Sequence, residues 1–240
     1  MINEGYNVPP IDVTRIELRR FLYQWEQGRS DTELIYAIND YFDLGLPVPP
    51  PWQADGFDAP VGTEEERRGT KLWPGTWFDA TGFATYYTAV GAAYHTGADL
   101  NNNSPKWDSD RGAAVYSIAR GEVIFAERIY NSTWGNVIVI RHAPLPDGRI
   151  VYSRYAHVED MRVKKGDKVE RGQHIANVGN AFGMLAYHLH FDIAKTDILE
   201  TKPGHWPGLN RAEVIKHYVD PKEFIAAHRP RDAQGTGGTE

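Results

Sequence analysis

The chain has 240 residues, a formal net charge of −6 and no cysteine. This length suits one domain, or one domain with a small appendage, and it is long enough to bury a sizeable core. The acidic balance leaves no basic footprint for nucleic acid, and no apolar run approaches the roughly 20 residues that a membrane-spanning helix needs. Without cysteine the chain forms no disulfide, so cysteine usage gives no information about its compartment.

The first part of the chain has the pattern of two short helices. Capping-box patterns at Thr14–Glu17 and Ser30–Glu33 each precede apolar residues at helical spacing. We therefore predict an N-terminal helical segment over residues 1–48, and we expect these helices to gain their stability by docking, with a wall- or partner-binding piece as the alternative. A Pro-rich extended linker is predicted over residues 49–76, with Glu64–Arg68 as a solvated charge run within it.

From residue 77 onward, short β-rich runs broken by Gly and Asn dominate the sequence. Their length and alternation predict a mostly β domain over residues 77–228, antiparallel and either barrel-like or sandwich-like. The strands are predicted at Ala114–Ile118, Glu122–Glu127, Asn136–His142, Ile150–Ala156 and Leu189–Ala194.

Two short helices are predicted near the C-terminus. The first covers Arg211–Tyr218 with Asn210 as its cap, and the second covers Pro221–Ala227 with Asp220 as its cap. Pro221 stands at the first helical position, where a missing amide hydrogen costs nothing. Residues 229–240 are polar and rich in Gly, which predicts a disordered tail.

Alternation places histidines on one face of a predicted strand. Residues two apart in a strand project to the same side, so His188, His190 and Asp192 are predicted to share a face. Leu189 and Phe191 then pack on the other side. Two imidazoles on one stiff strand can place one nitrogen on a metal ion and the other beside it.

A second pair of candidate ligands lies earlier in the chain. His95 and Asp99 flank Gly97, which permits a bend that brings both side chains to one point. Two imidazoles and a carboxylate suit a catalytic zinc ion, which keeps a fourth position for water. The spacing alone leaves open which of His188 and His190 completes the set.

Three motifs in order resemble those of the M23 (LytM or lysostaphin-type) zinc endopeptidases of peptidoglycan. They are His95-Thr-Gly-Ala-Asp99, Tyr155-Ala-His157 and His188-Leu-His190-Phe-Asp-Ile193, and the resemblance extends over roughly Phe78 to Phe224. The strand sequences between the motifs agree with it at Ala119–Ala126, Gly135–His142 and Val163–Ala176.

The resemblance implies a LytM-like fold, a Zn²⁺ cofactor and specific roles for five residues. It implies that His95, Asp99 and His190 are the metal ligands. It also implies that His157 and His188 handle protons and stabilise the transition state. The implied activity is hydrolysis of peptide bonds in peptidoglycan, either in cross-links or in stem peptides.

The same resemblance implies a peptidoglycan peptide as partner and a location in the cell envelope or outside the cell. Residues 1–5 show no positive or apolar leader, so no signal peptide is visible, and no sequence signal indicates an oligomeric state. One alternative is a catalytically idle relative that binds wall peptide or activates another hydrolase. A lipoyl- or biotinyl-type carrier is a further alternative, based on the hairpin-like segment at residues 163–173, but it needs no paired histidines.

Two segments depart from the pattern of the family. Gly183–His188 is bulkier and more apolar than the usual run of small residues, so we expect a changed cleavage preference. Lys195–Leu209 is long for a simple connection, which predicts a groove wall or a lid. Tyr155 is expected to pack in a strand rather than to donate to an oxyanion. Other aromatic or histidine candidates for supporting roles are Tyr86, Tyr87, Tyr94 and His142.

Overall fold

The computed structural model describes residues 52–69, 71–88 and 91–230. The chain divides into two units, Met1–Trp52 and Gln53–Glu240, and the described strands and helices lie in the second. The helices predicted within residues 1–48 lie outside the described residues, as does the predicted tail from residue 231 onward.

Antiparallel strands make up most of the regular structure, as the sequence predicts. The strands are β1 (Phe78–Asp79), β2 (Tyr86–Tyr87), β3 (Ala93–Tyr94), β4 (Ala98–Asn101), β5 (Ala114–Tyr116), β6 (Gly121–Ile129), β7 (Gly135–His142), β8 (Tyr152–Val158), β9 (Lys168–Val169), β10 (His174–Asn177), β11 (Leu189–Ala194) and β12 (Tyr218–Val219).

One large sheet organises the unit. Its strand order is β1-β4-β11-β8-β7-β6-β9, and β12 adds to one end of β11. The strands β10 and β5 form a separate pair, and so do β2 and β3. The antiparallel fold class is confirmed, and among the described strands the sheet stays open from β1 to β9 instead of closing into a barrel.

The two central strands, β8 and β11, are buried along their whole length. Their alternate residues serve two different clusters. Tyr155, Phe191 and Ile193 belong to the larger apolar core, whereas Tyr152 and Ala156 belong to a second cluster on the other face. We call these the apolar face and the polar face, because the second face also carries Arg154, His190 and Asp192 by the same alternation.

Four helices complete the described structure: α1 (Glu64–Arg68), α2 (Ile198–Thr201), α3 (Arg211–His217) and α4 (Pro221–Ala227). The two predicted C-terminal helices are therefore confirmed. Asn210 accepts a hydrogen bond from the Glu213 amide, and Asp220 accepts one from the Lys222 amide, as capping predicts. None of the helices in the described residues is long and apolar enough to cross a membrane.

The charge run at residues 64–68 corrects a sequence expectation, because it forms a helix. Thr63 and Glu66 make a reciprocal capping box, which satisfies two amide groups at the start of α1. Arg67 is buried, and its guanidinium lies 3.6 Å from the centroid of the Tyr116 ring. The Thr63–Glu66 capping pattern is present in the sequence, but the run of charged residues around it favoured the interpretation as a solvated segment.

Much of the segment predicted as a linker is packed. Phe57, Val61 and Trp73 all lie in the apolar core of the second unit. A connector without burial would expose these side chains, so these three residues act as part of the core instead. The remaining domain boundaries stay a prediction.

Candidate metal centre and cleft

The three candidate ligands meet where β4 pairs with β11. Asp99 lies opposite His190 in the register of the two strands, and His95 precedes β4. Asp99 Oδ1 is 3.0 Å from His95 Nε2 and 3.2 Å from His190 Nδ1. The two imidazole nitrogens are 2.9 Å apart. A Cβ at Gly97 would come within 2.1 Å of Phe191 O, so only glycine lets this segment lie against β11.

Hydrogen bonds on the far side of each ring determine which nitrogen carries the proton. His95 Nδ1 donates to Gly97 O at 3.0 Å, because a carbonyl can only accept. His190 Nε2 donates to Asp192 Oδ2 at 3.0 Å. In the neutral rings, His95 Nε2 and His190 Nδ1 therefore carry lone pairs, and these are the atoms that face Asp99.

Three electron-pair donors thus converge on one point. Their ligand atoms all lie within 4.8 Å of one another. Without a positive charge between them, two lone pairs and a carboxylate at this separation repel each other. Nitrogen and oxygen donors from two histidines and one aspartate form a ligand set that suits zinc and leaves a position open for water. The residues present therefore fit a Zn²⁺ ion.

The two remaining candidate histidines lie beside this group. The rings of His157 and His188 are 4.7 Å apart, and the His157 ring is 5.8 Å from that of His190. His188 Nδ1 donates to Ala186 O at 2.8 Å, and His157 Nδ1 donates to Trp134 O at 3.2 Å. Each neutral ring therefore keeps a bare Nε2, and His188 Nε2 is 3.8 Å from Asp99 Oδ1.

His157 reaches the site through an irregularity in the sheet. The pairing of β7 with β8 skips this residue, since Asn136 pairs with Val158 and Val137 pairs with Ala156. Its backbone has a φ of 64°, in the left-handed region that costs energy for any residue with a Cβ. Simple alternation would place His157 on the apolar face with Tyr155. The bulge turns it toward the metal centre instead.

Burial and neighbouring charges shift the pKa values around the site. Burial, and then the neighbouring His188 and His190, hold the pKa of His157 well below its ordinary value, so its ring is neutral at neutral pH. Asp79 Oδ1 accepts from the Asp99 amide at 3.1 Å, and burial raises the Asp79 pKa to about 6. Burial also raises the pKa of Tyr87 to about 12.

A cleft of about 450 Å³ opens over these groups. All five histidine and aspartate candidates from the sequence line it, whereas none of the other histidines is among its lining residues. The remaining lining consists of three aromatic rings, three hydroxyl side chains and two small apolar residues: Tyr87, Trp134, Trp206, Thr81, Ser132, Thr133, Leu185 and Ala186.

The aromatic rings form one continuous wall. Trp206 lies 5.4 Å from Trp134 and 6.2 Å from both Tyr87 and His95, measured between ring centroids. Trp206 belongs to the segment Lys195–Leu209, for which the sequence predicted a wall or a lid. Its neighbour Gly204 accepts a hydrogen bond from Trp134 Nε1 at 3.1 Å, which ties the segment to the sheet.

Sequence reasoning missed Trp134 and Arg154. The wall residue Trp134 lies in the turn before β7, where its only signal was a tryptophan among small polar residues. Arg154 stands inside a largely apolar strand, which was the available clue to a buried charge. Tyr155 packs in the apolar core, and its hydroxyl accepts from the Ile118 amide at 3.0 Å, so packing is its role.

The sequence model of peptidase family M23 matches residues 93–203, which include all five candidate residues. The lipoprotein NlpD of Yersinia enterocolitica is 32% identical over 83 residues, which are 35% of this chain and 78% of that protein. The chain belongs to peptidase family M23.

Two further relatives of the chain bear enzyme names. The peptidoglycan DD-endopeptidase ShyB of Vibrio cholerae is 35% identical over 98 residues, which are 41% of this chain and 21% of ShyB. The chain therefore spans about a fifth of the length of that relative. A zinc-containing peptidase of Vibrio cholerae has a similar solved structure, with 28% identity, a TM-score of 0.42, and coverage of 57% of this chain and 36% of that one.

Proposed function

We propose that this M23 protein is a zinc-dependent endopeptidase that hydrolyses peptide bonds of bacterial peptidoglycan in the cell envelope or outside the cell. The observation that carries the proposal is the convergence of three donor atoms beside two further histidines in one cleft. The peptidoglycan substrate and the envelope location rest on the family and on the relatives with peptidoglycan and lipoprotein names.

In this proposal the chain divides binding and proton transfer between two sets of residues. His95, Asp99 and His190 hold the metal, and Asp192 keeps the His190 ring in the tautomer that presents Nδ1. When bound, Zn²⁺ polarises the scissile carbonyl and acidifies water. His157 and His188 each offer a bare Nε2 beside the ligands, so either ring can accept a proton from water and pass that same proton to the departing amine.

The cleft also supplies orientation. The aromatic wall of Tyr87, Trp134 and Trp206, whose neighbouring rings pack edge to face, gives an apolar surface along one side of an extended peptide. The Tyr87 hydroxyl is protonated at neutral pH, as for any tyrosine, and it lines the cleft, where it is available to donate to substrate. Together these contacts hold the peptide for attack.

The test combines metal analysis with dye release from labelled peptidoglycan. We expect purified protein to contain about one zinc ion and to release dye. A chelator should stop the release, and added zinc should restore it. His157→Ala and His188→Ala should keep zinc while turnover falls by about 10²–10⁴-fold, the usual size of a general acid–base effect.

The other outcomes distinguish the alternatives. Zinc binding without release from any peptidoglycan would identify a catalytically idle relative. Loss of zinc from His157→Ala or His188→Ala would make that residue a ligand rather than a proton carrier. Protein without metal and with a modified lysine would favour a carrier and contradict the proposal.

A further inference from the structure

Arg154 is a buried cation on the polar face, directly beneath the metal centre. Its side chain and that of Asp192 are 0% exposed. A buried charge destabilises the fold unless other groups pair with it. The groups that contact Arg154 therefore indicate its role. They lead in two directions, toward the ligand His190 and toward the segment Lys195–Leu209.

The first direction leads to the ligands. Arg154 Nη2 donates to Asp192 Oδ2, the same oxygen that accepts from His190 Nε2. Thr96, which follows the ligand His95, donates its hydroxyl to this oxygen at 2.7 Å. The carboxylate is therefore fixed by Arg154 and Thr96, and it fixes the orientation of the His190 ring.

The second direction leads to the aromatic wall. Arg154 Nη1 donates to Pro203 O and to His205 O, each at 3.0 Å. Both carbonyls belong to the stretch of backbone that leads directly into Trp206. The Arg154 Cζ atom also lies 4.0 Å from the centroid of the Trp134 ring. One planar guanidinium thus supports both tryptophans of the wall.

The geometry of the ion pair favours this dual use over a purely stabilising one. Arg154 Nε and Asp192 Oδ1 are buried, and neither has a hydrogen-bond partner among the described residues. A pair selected only for strength would form two parallel bonds between the guanidinium and the carboxylate. Here the guanidinium is turned so that its other amino group reaches the two carbonyls.

We propose that Arg154 is a positioning residue that couples the metal ligand His190 to the wall of the cleft formed by Trp206. The guanidinium orients Asp192 beneath His190 and at the same time holds the carbonyls that present Trp206. Lys195–Leu209 is on this view a fixed wall, set in register with the metal, rather than a lid. The inference rests on the proposed function, because it assigns the support of the same cleft.

The central variant is Arg154→Lys, which keeps the positive charge but loses the planar fork. Three quantities should change: zinc affinity measured by chelator competition, deuterium uptake in residues 202–208 measured by mass spectrometry, and KM for peptidoglycan fragments. We expect zinc affinity to fall by about 10–100-fold, as for other outer-shell partners of metal ligands. Uptake in residues 202–208 should quicken, and KM should rise.

Two control variants separate the two arms of this coupling. One arm consists of the contacts through Asp192 to His190, and the other consists of the contacts with the Pro203 and His205 carbonyls that lead to Trp206. Asp192→Asn breaks the arm to His190 and leaves the carbonyl contacts, so zinc affinity should fall while uptake in residues 202–208 stays closer to that of the wild type. Trp206→Ala removes the wall alone, so KM should rise while zinc affinity stays within twofold.

The inference is overturned if Arg154→Lys changes only one of the two arms, or only the unfolding midpoint. If Arg154→Lys does not fold, Arg154→Gln decides by the same readouts: weaker zinc binding together with faster uptake in residues 202–208 supports the inference, and a change in only one of them overturns it. Wild-type protein that binds no zinc contradicts the proposed function and the inference together. Wild-type zinc binding with an unaffected Arg154→Lys overturns the inference alone.

Discussion

His142 and His190 are buried histidines on opposite faces of one sheet, and their pKa values move in opposite directions. Burial lowers the pKa of His142 to about 4, and hydrogen bonds with neutral groups such as the Arg120 carbonyl and the Ser153 hydroxyl do not offset this fall. Burial acts the same way on His190, but hydrogen bonds that Asp192 and Asp99 accept from its ring, and the charges of these carboxylates, outweigh burial and raise the pKa.

This difference shows what separates the two faces. On the apolar face, the packing around His142 offers no charged group that would stabilise a protonated ring. The ring therefore stays neutral and contributes to the stability of the fold. The polar face instead surrounds its histidine with carboxylates, and Arg154 offsets their charge. Variants on the polar face should therefore change activity and metal binding, whereas variants on the apolar face should change stability.

Removal of a ligand is the strongest test of the polar face. Asp99→Ala deletes the carboxylate shared by His95 and His190, so zinc binding should be lost and hydrolysis should fall by at least about 10³-fold, given the several kcal/mol that a catalytic metal supplies. Metal content and dye release measure the effect, with exposed Glu65→Ala as the matched carboxylate control. Retention of zinc by Asp99→Ala would contradict the division into faces.

Truncation in the apolar core is the corresponding test of the other face. Phe191 is fully buried, so Phe191→Ala should lower the free energy of unfolding by about 3–5 kcal/mol. Urea unfolding measures this, and Trp107→Ala, at a side chain 66% exposed, should stay within about 0.5 kcal/mol of the wild type. The remaining folded Phe191→Ala protein should still bind zinc. If it loses the metal, the two faces are not separable.

Part of the candidate metal site could be predicted because alternation and spacing are local, whereas the choice of His190 over His188 came from the family resemblance. Alternation in Leu189–Ala194 separated His190 from its apolar neighbours, and the short spacing from His95 to Asp99 placed two donors in one bend. The helix caps at Asn210 and Asp220 were predictable for the same reason. Each of these features depends on residues within one element.

The wall and its support could not be predicted, because they depend on contacts distant in sequence. Arg154 reaches the carbonyl of His205, 51 positions away, and Trp134 reaches that of Gly204, 70 positions away. The position of His157 depends on a bulge, which no alternation pattern reveals. The packing of Phe57 and Trp73 was likewise concealed by the prolines that surround them.

Acid should destabilise the protein through His142 in particular. Its pKa is about 4 in the folded protein and about 6.5 when unfolded, so between these values the unfolded state binds more protons. The free energy of unfolding should therefore fall by about 3 kcal/mol as the pH drops from 6.5 to 4. Urea unfolding across this range measures the slope. In His142→Asn, the free energy of unfolding should fall by about 3 kcal/mol less over the same pH range. An equal fall in both proteins would show that the acid sensitivity comes from other groups.

The smallest expected effect concerns the helix that covers the apolar face. Asp220 caps α4, which buries Phe224 and Ile225, and the Asp220 side chain accepts from the Lys222 amide at 2.9 Å. Asp220→Ala should lower the free energy of unfolding by about 1 kcal/mol, because the first turn loses its acceptor. Asp220→Asn keeps an acceptor and should lose much less in urea unfolding. Zinc affinity should be the same in both variants, since α4 packs against the face that holds no ligand, and a change in zinc affinity would show that the faces communicate.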